Sequence, residues 1–154
     1  MYEYRATVIN VVDGDTVDVD IDLGFGIILR DERVRIIGID TEEARTSDKV
    51  EDLFGELAKE RVKELLQNGD EVILKTEINK HGEDMKGKFG RTLGDFIVNG
   101  RMLKDILIEE GHAVKYSGQN KDDILTAHLA NRQRLINEGK ITLEQVAEAE
   151  AKNK

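Results

Sequence analysis

Apolar residues recur at every second position in the first third of the chain and at every third or fourth position in the middle. Val8, Ile9, Val11 and Val12 lead into Asp13-Gly14, a turn pair flanked by apolar runs. From Asp15 the alternation is strict, with Asp15, Val17, Val19 and Ile21 on one strand face and Thr16, Asp18, Asp20 and Asp22 on the other. Leu23-Gly24-Phe25-Gly26 supplies turn residues, after which Ile27-Ile28-Leu29 and Val34 to Ile39 continue the sheet. The spacing then predicts a helix from Asp48 to Gln67. Asp48 and Glu51 form a capping box, and Leu53, Phe54, Leu57, Ala58, Val62, Leu65 and Leu66 form the stripe. Asn68-Gly69-Asp70 ends that helix and turns into a strand over 71–76. Asn79 to Gly90 is a loop, Arg91 to Val98 a last strand, and Asn99-Gly100 opens a short helix that stops at Gly111. Asn120 and Asp123 cap a further helix, with Ile124, Leu125, His128, Leu129, Leu135 and Ile136 at core spacing. Residues 142–154 offer only Leu143 and Val146 as large apolar groups, which predicts a frayed C-terminal helix.

Five strands, one helix after the third and more helices at the end predict an α+β fold. The best match is a five-stranded OB-fold β-barrel with three helices and that loose fourth, since this barrel places a helix between strands three and four. The 154 residues divide into a domain over 1–140 and a helical tail over 141–154. With no cysteine, disulfides, thiolate metal sites and a cysteine nucleophile are excluded. The N-terminus shows no basic stretch followed by an apolar core, and no apolar run approaches the roughly 18 residues of a membrane span. A soluble cytoplasmic protein without a signal peptide or membrane partner is the expectation. A net charge of −9 argues against a general nucleic-acid coat. The charge is uneven, however: residues 1–50 carry −6 and residues 75–104 carry +3. A local basic patch on an acidic body suits a small, metal-assisted site better than a long DNA groove.

The candidate chemistry lies in three short pieces: Asp13-Gly14-Asp15-Thr16, then Arg35 leading to Asp40-Thr41-Glu42-Glu43, then Lys88-Phe89-Gly90-Arg91. Strand alternation turns Asp15 inward, where an ionised carboxylate is costly unless it meets a cation or strong donors. Asp18, Asp20 and Asp22 face the other way and are most simply solvated, and Asp13 shapes the turn. A carboxylate and a nearby carbonyl, as at Asp40-Thr41, are typical oxygen ligands for Ca2+, whereas zinc is disfavoured without cysteine. Glu43, ahead of Glu42, is placed to act as a general base on a metal-bound water. Arg35 and Arg91 are suited to gripping phosphate by paired hydrogen bonds. Arg35 and Asp40 are five residues apart, so a straight strand faces them oppositely; Gly38 marks the bend that would bring both to one pocket. His81, His112 and His128 are far apart, with no partner acids at ligand spacing, and His128 reads as a packing residue on an apolar stripe.

Taken in order, these pieces resemble the staphylococcal nuclease (thermonuclease) family over roughly residues 5–140, from Val-Asp-Gly-Asp-Thr through Arg-x-x-x-x-Asp-Thr-x-Glu and Phe-Gly-Arg to Glu-Glu-Gly-His-Ala. The resemblance implies an OB-fold barrel and Ca2+-dependent hydrolysis of DNA and RNA, in which water attacks phosphorus and the 5′-oxygen leaves a 3′-phosphate end. Carried over by matching motif, Asp15, Asp40 and the Thr41 carbonyl bind calcium. Glu43 positions or deprotonates water, and Arg35 and Arg91 hold the scissile phosphate. Lys88 falls near the nucleotide's terminal phosphate, and Tyr116 supplies base stacking. The expected form is a monomer acting on DNA and/or RNA. Two positions depart from the pattern: Glu42 stands where the family usually has proline, and Phe89 where it often has tyrosine. The alternative is a catalytically inactive barrel of the same fold that binds single-stranded nucleic acid or a protein partner. Such domains usually lose one or more of these charged residues, and they tend to expose aromatic platforms, of which this chain has few.

Overall fold

The computed structural model describes residues 2–77, 86 and 90–154. Among these, the chain forms β1 (Tyr2–Asp13), β2 (Thr16–Gly24), β3 (Ile27–Ile36), β4 (Ile39–Thr41), α1 (Lys49–Leu65), β5 (Glu71–Thr76), β6 (Thr92–Val98), β7 (Arg101–Met102), α2 (Leu103–Glu109), β8 (Ala113–Lys115), α3 (Lys121–Asn137) and α4 (Leu143–Lys152). Antiparallel pairing runs β3-β2-β1-β5-β6. A short parallel join of Val34–Ile36 to Thr92–Gly94 brings β3 back to β6, so the pairings close five strands into a ring. This is the mixed strand-and-helix, OB-like arrangement that the pattern predicts, with α1 between the third and fourth ring strands.

Alternation builds the interior. Ala6, Val8, Val17, Val19, Ile21, Val34, Ile36, Leu74 and Phe96 point inward and are almost fully buried. Each such valine or larger side chain contributes roughly 1.5–3 kcal/mol on leaving water, set against the entropy of ordering the chain. Register shifts between Val8 and Asn10 and between Val11 and Asp13 bend β1 so that it pairs with both β2 and β5.

Several local expectations are corrected. Asp13 pairs with Thr16, so the two-residue turn is Gly14–Asp15 and Asp15 belongs to the turn rather than to the inner face of β2. Asp18 is buried, not solvated: it lies opposite Arg33 in the β2–β3 register and accepts from that guanidinium at 2.9 and 3.2 Å. Asp20 likewise accepts from Arg30 and from the Asp31 N–H. On α3, Leu125 and Leu129 are exposed while His128 and Leu135 are buried, so the helix turns a different stripe inward than its leucines suggest. The C-terminal helix is held more firmly than its thin apolar content indicates. Thr142 and Gln145 form a full capping box, and Asn153 bonds both Asp48 and the Lys49 N–H. Phe54, Leu135 and Ile141 make a second small core among α1, α3 and the lead into α4.

Asp95 is the most deeply buried carboxylate described, 3% exposed on β6. It accepts the Phe96 N–H at 2.8 Å and the Lys104 N–H, in the first turn of α2, at 3.4 Å. Burial outweighs those donors and pushes its pKa from 3.8 up to about 6. The folded state therefore holds this proton more tightly than the unfolded chain does. The resulting stabilisation is complete below the unfolded pKa and fades as pH rises through about 6. Asp95→Asn removes the titration. Relative to the variant, wild type should lose about 1–3 kcal/mol between roughly pH 4 and pH 7.5, measured by denaturant unfolding at several pH values. A difference that is flat across that range would contradict the burial argument.

Candidate active site

A cavity of about 380 Å³ is bordered by Asp13, Asp15, Arg35, Asp40, Thr41, Glu43 and Arg91. Gly14 packs so tightly on α1 that a Cβ would sit 2.9 Å from that of Ala58, and Thr41 lies 3.5 Å away on another side. The β2–β3 register pairs Thr16 with Arg35 and so brings the guanidinium beside this turn. Arg35 Nη1 lies 3.0 Å from Asp15 Oδ2. The same side chain donates to the Ile36 carbonyl at 2.8 Å and the Ile39 carbonyl at 3.4 Å. Thr16 donates its hydroxyl to Asp15 Oδ1 at 2.9 Å. After β3 the chain turns through Ile37–Gly38, where Gly38 takes φ +80°, a conformation glycine adopts without steric cost. That reversal lets Arg35 and Asp40 border one cavity despite their odd spacing, and β4 then pairs with β8.

Beyond β4 the acidic loop hangs on α1. Asp48 caps the helix by accepting from the Val50 and Glu51 N–H groups. The Glu51 carboxylate does not complete a capping box; it accepts the Glu43 N–H at 3.4 Å, and Asp52 accepts the Arg45 N–H. Gly55 makes this possible, since a Cβ there would come within 2.4 Å of the Glu43 carbonyl. The Glu43 backbone is thus seated while its side chain remains exposed.

The turn gives Asp13 only a shaping role on sequence grounds, but its Oδ1 is a buried acceptor without a hydrogen-bond donor. Arg45 Nη2 lies 3.7 Å from that oxygen. Burial pushes this carboxyl up, with Arg45 pulling the other way. Among the described residues no three His, Asp or Glu side chains form a ready-made metal cage. The carboxylates that border the cavity nonetheless offer it oxygen donors, and neither sulfur nor imidazole lines it among the described residues. The orphaned Asp13 oxygen is the kind of atom that a hard cation or its water satisfies.

Two contacts from α3 were not foreseen. His128 Nε2 lies 2.6 Å from Asp40 Oδ2, with the imidazole buried. Arg132 donates to Glu42 Oε1 through Nε at 2.8 Å and also through Nη2, and its guanidinium lies 5.4 Å from the Phe54 ring centre. Glu42 is buried, which pushes its carboxyl up while Arg132 pulls it down. The expectation that His128 is a packing residue with no partner acid is therefore corrected.

Comparison with known proteins bears on this arrangement directly. A family profile described as staphylococcal nuclease homologue matches residues 33–143. The chain belongs to that family. It is 32% identical over 126 residues to the SPbeta prophage-derived endonuclease YokF of Bacillus subtilis, covering 76% of this chain and 39% of that protein. It is 33% identical over 109 residues to endonuclease YncB of the same organism, covering 71% and 46%. It is also 34% identical over 103 residues to the thermonuclease of Staphylococcus intermedius, covering 67% and 54%. The chain thus spans 39–54% of the length of these three relatives.

As a member of the staphylococcal nuclease homologue family, the chain brings Asp15, Arg35, Asp40, Thr41, Glu43 and Arg91 to one cavity. Lys88 and Phe89 lie outside the described residues. Tyr116 does not border this cavity. It lines a neighbouring one of about 560 Å³ that shares Arg35, Asp40 and Thr41 and continues along Ile124, Leu125 and His128. No described helix is long and apolar enough to cross a membrane.

The seat of the acidic loop is directly testable. Gly55→Ala places a methyl against backbone that cannot rotate away, so it should cost about 1–3 kcal/mol, read as a lower denaturant midpoint. An unchanged midpoint would mean that the Glu43 carbonyl does not rest on α1.

Proposed function

We propose that the chain is a Ca2+-dependent nuclease, a phosphodiester hydrolase acting on DNA and/or RNA. The observation that carries this reading is the convergence of Asp15, Arg35, Asp40, Thr41, Glu43 and Arg91, from turn, strand and loop, on one cavity. Family membership and the endonuclease and thermonuclease names of the relatives support it.

In this reading Asp15, Asp40 and the Thr41 carbonyl would hold the ion, and Asp13 adds negative charge beside Asp15. When bound, Ca2+ withdraws charge from the phosphate and acidifies water. Arg35, which shares Asp15 at 3.0 Å, exchanges that partner for a phosphate oxygen, and Arg91 grips the phosphate alongside it. Both guanidinium groups stay charged as negative charge builds on phosphorus. Glu43, with its amide tied to Glu51 and its carboxylate open to the cavity, accepts the proton of the attacking water. As the water oxygen bonds to phosphorus the P–O5′ bond breaks; the departing 5′-oxygen takes a proton from solvent water and a 3′-phosphate end remains. Tyr116, exposed in the adjoining cavity, offers its ring to a base, and Lys88 is assigned to a terminal phosphate. A net charge of −9 leaves little background attraction for nucleic acid, so activity should depend tightly on the ion.

The direct test incubates single-stranded DNA with the protein in Ca2+ and then in EDTA. Degradation only in Ca2+ is expected; equal degradation in both, or none in either, rejects the proposal. Arg35→Ala and Arg91→Ala should each lower the rate about 100-fold, by analogy with the loss of one oxyanion donor. Retained DNA binding without turnover in wild type would favour a non-catalytic binding barrel instead.

A further inference from the structure

We propose that Arg132 is a positioning residue of the site, acting through Glu42 to fix the strand end that presents Thr41 and Glu43. This rests on the nuclease reading for its consequence in catalysis, but its geometry stands apart from it.

Glu42 stands between Thr41 and Glu43, both of which border the cavity. It forms a buried ion pair with Arg132, 90 residues away in sequence. Arg132 donates twice to Glu42 Oε1, and its guanidinium lies over Phe54 of α1. The paired fork of an arginine fixes orientation as well as distance. Glu42 is 8% exposed, and leaving its carboxylate unpaired there is strongly unfavourable, so the contact is maintained.

The spacing of a second contact supports the same role. His128 and Arg132 are one helical turn apart, about 6 Å along the axis. Asp40 and Glu42 are two residues apart on an extended chain, about 6.6 Å. The two pairs therefore meet in register, with His128 at 2.6 Å from Asp40 Oδ2. Side chains alternate along an extended segment, so fastening Asp40 and Glu42 to α3 sets the direction of Thr41 and Glu43. The loop is then held from two sides, by Arg132 on α3 and by Glu51 and Asp52 on α1.

The test uses amide hydrogen exchange together with kinetics. Arg132→Met should speed exchange of the Glu43 and Arg45 amides at least tenfold, leave Val17 and Leu74 within twofold, and lower kcat at least tenfold with KM within twofold. Arg132→Lys, which keeps the charge should Arg132→Met fail to fold, should show the same pattern at smaller amplitude. Unchanged exchange at Glu43 in Arg132→Lys and Arg132→Met overturns the proposal. So does a kcat loss that merely tracks the unfolded fraction. Exchange is measured without substrate, so an inactive wild type would reject the nuclease reading while this inference is still decided.

Discussion

Five carboxylates, those of Asp13, Asp15, Asp40, Glu42 and Glu43, border one cavity, and their mutual repulsion and loss of water set the terms for everything around them. The described partners answer that constraint from two elements and the loop. Arg35 comes from β3, His128 and Arg132 from α3, and Arg45 from the loop itself. Thr16, Arg35, His128 and Arg132 leave Asp15, Asp40 and Glu42 paired, the Glu43 side chain is exposed, and Asp13 retains an oxygen without a donor.

The fold supplies the means. A two-residue turn pressed on α1, a left-handed glycine after β3 and a bare glycine in α1 each allow an approach that a side chain would prevent. Removing any one of them shifts a charged group relative to its neutraliser, which in a partly buried site is felt far more than on the surface. Helix α3 is therefore more than a cover for the barrel. Its own apolar stripe is weak, and it is seated by Leu135 in the second core and by polar contacts to the acidic strand.

Much of the ring was legible because period-two alternation is a local signal: Val17, Val19 and Ile21 announce their face within six residues. The association of Asp15, Arg35, Asp40, Glu43 and Arg91 was legible from motif order. The bend that reconciles Arg35 with Asp40 was marked by Gly38. What was illegible is what depends on register or on distant pairing. A one-residue displacement of the first turn moved Asp15 out of β2. Strand alternation faces Asp18 toward solvent and does not reveal that Arg33 stands opposite it. The pairs His128–Asp40 and Arg132–Glu42 span 88 and 90 residues, and nothing near either partner in sequence points to the other. The anchoring of the last helix was illegible because it comes from Thr142, Gln145 and Asn153, polar groups that an apolar census ignores.

The ring closes through only three residue pairs between β3 and β6, and Arg35, opposite Leu93, is the middle one. The short seam that closes the ring therefore includes the residue whose guanidinium lies 3.0 Å from Asp15. The backbone that joins β3 to β6 is also the backbone that carries Arg35 to the cavity.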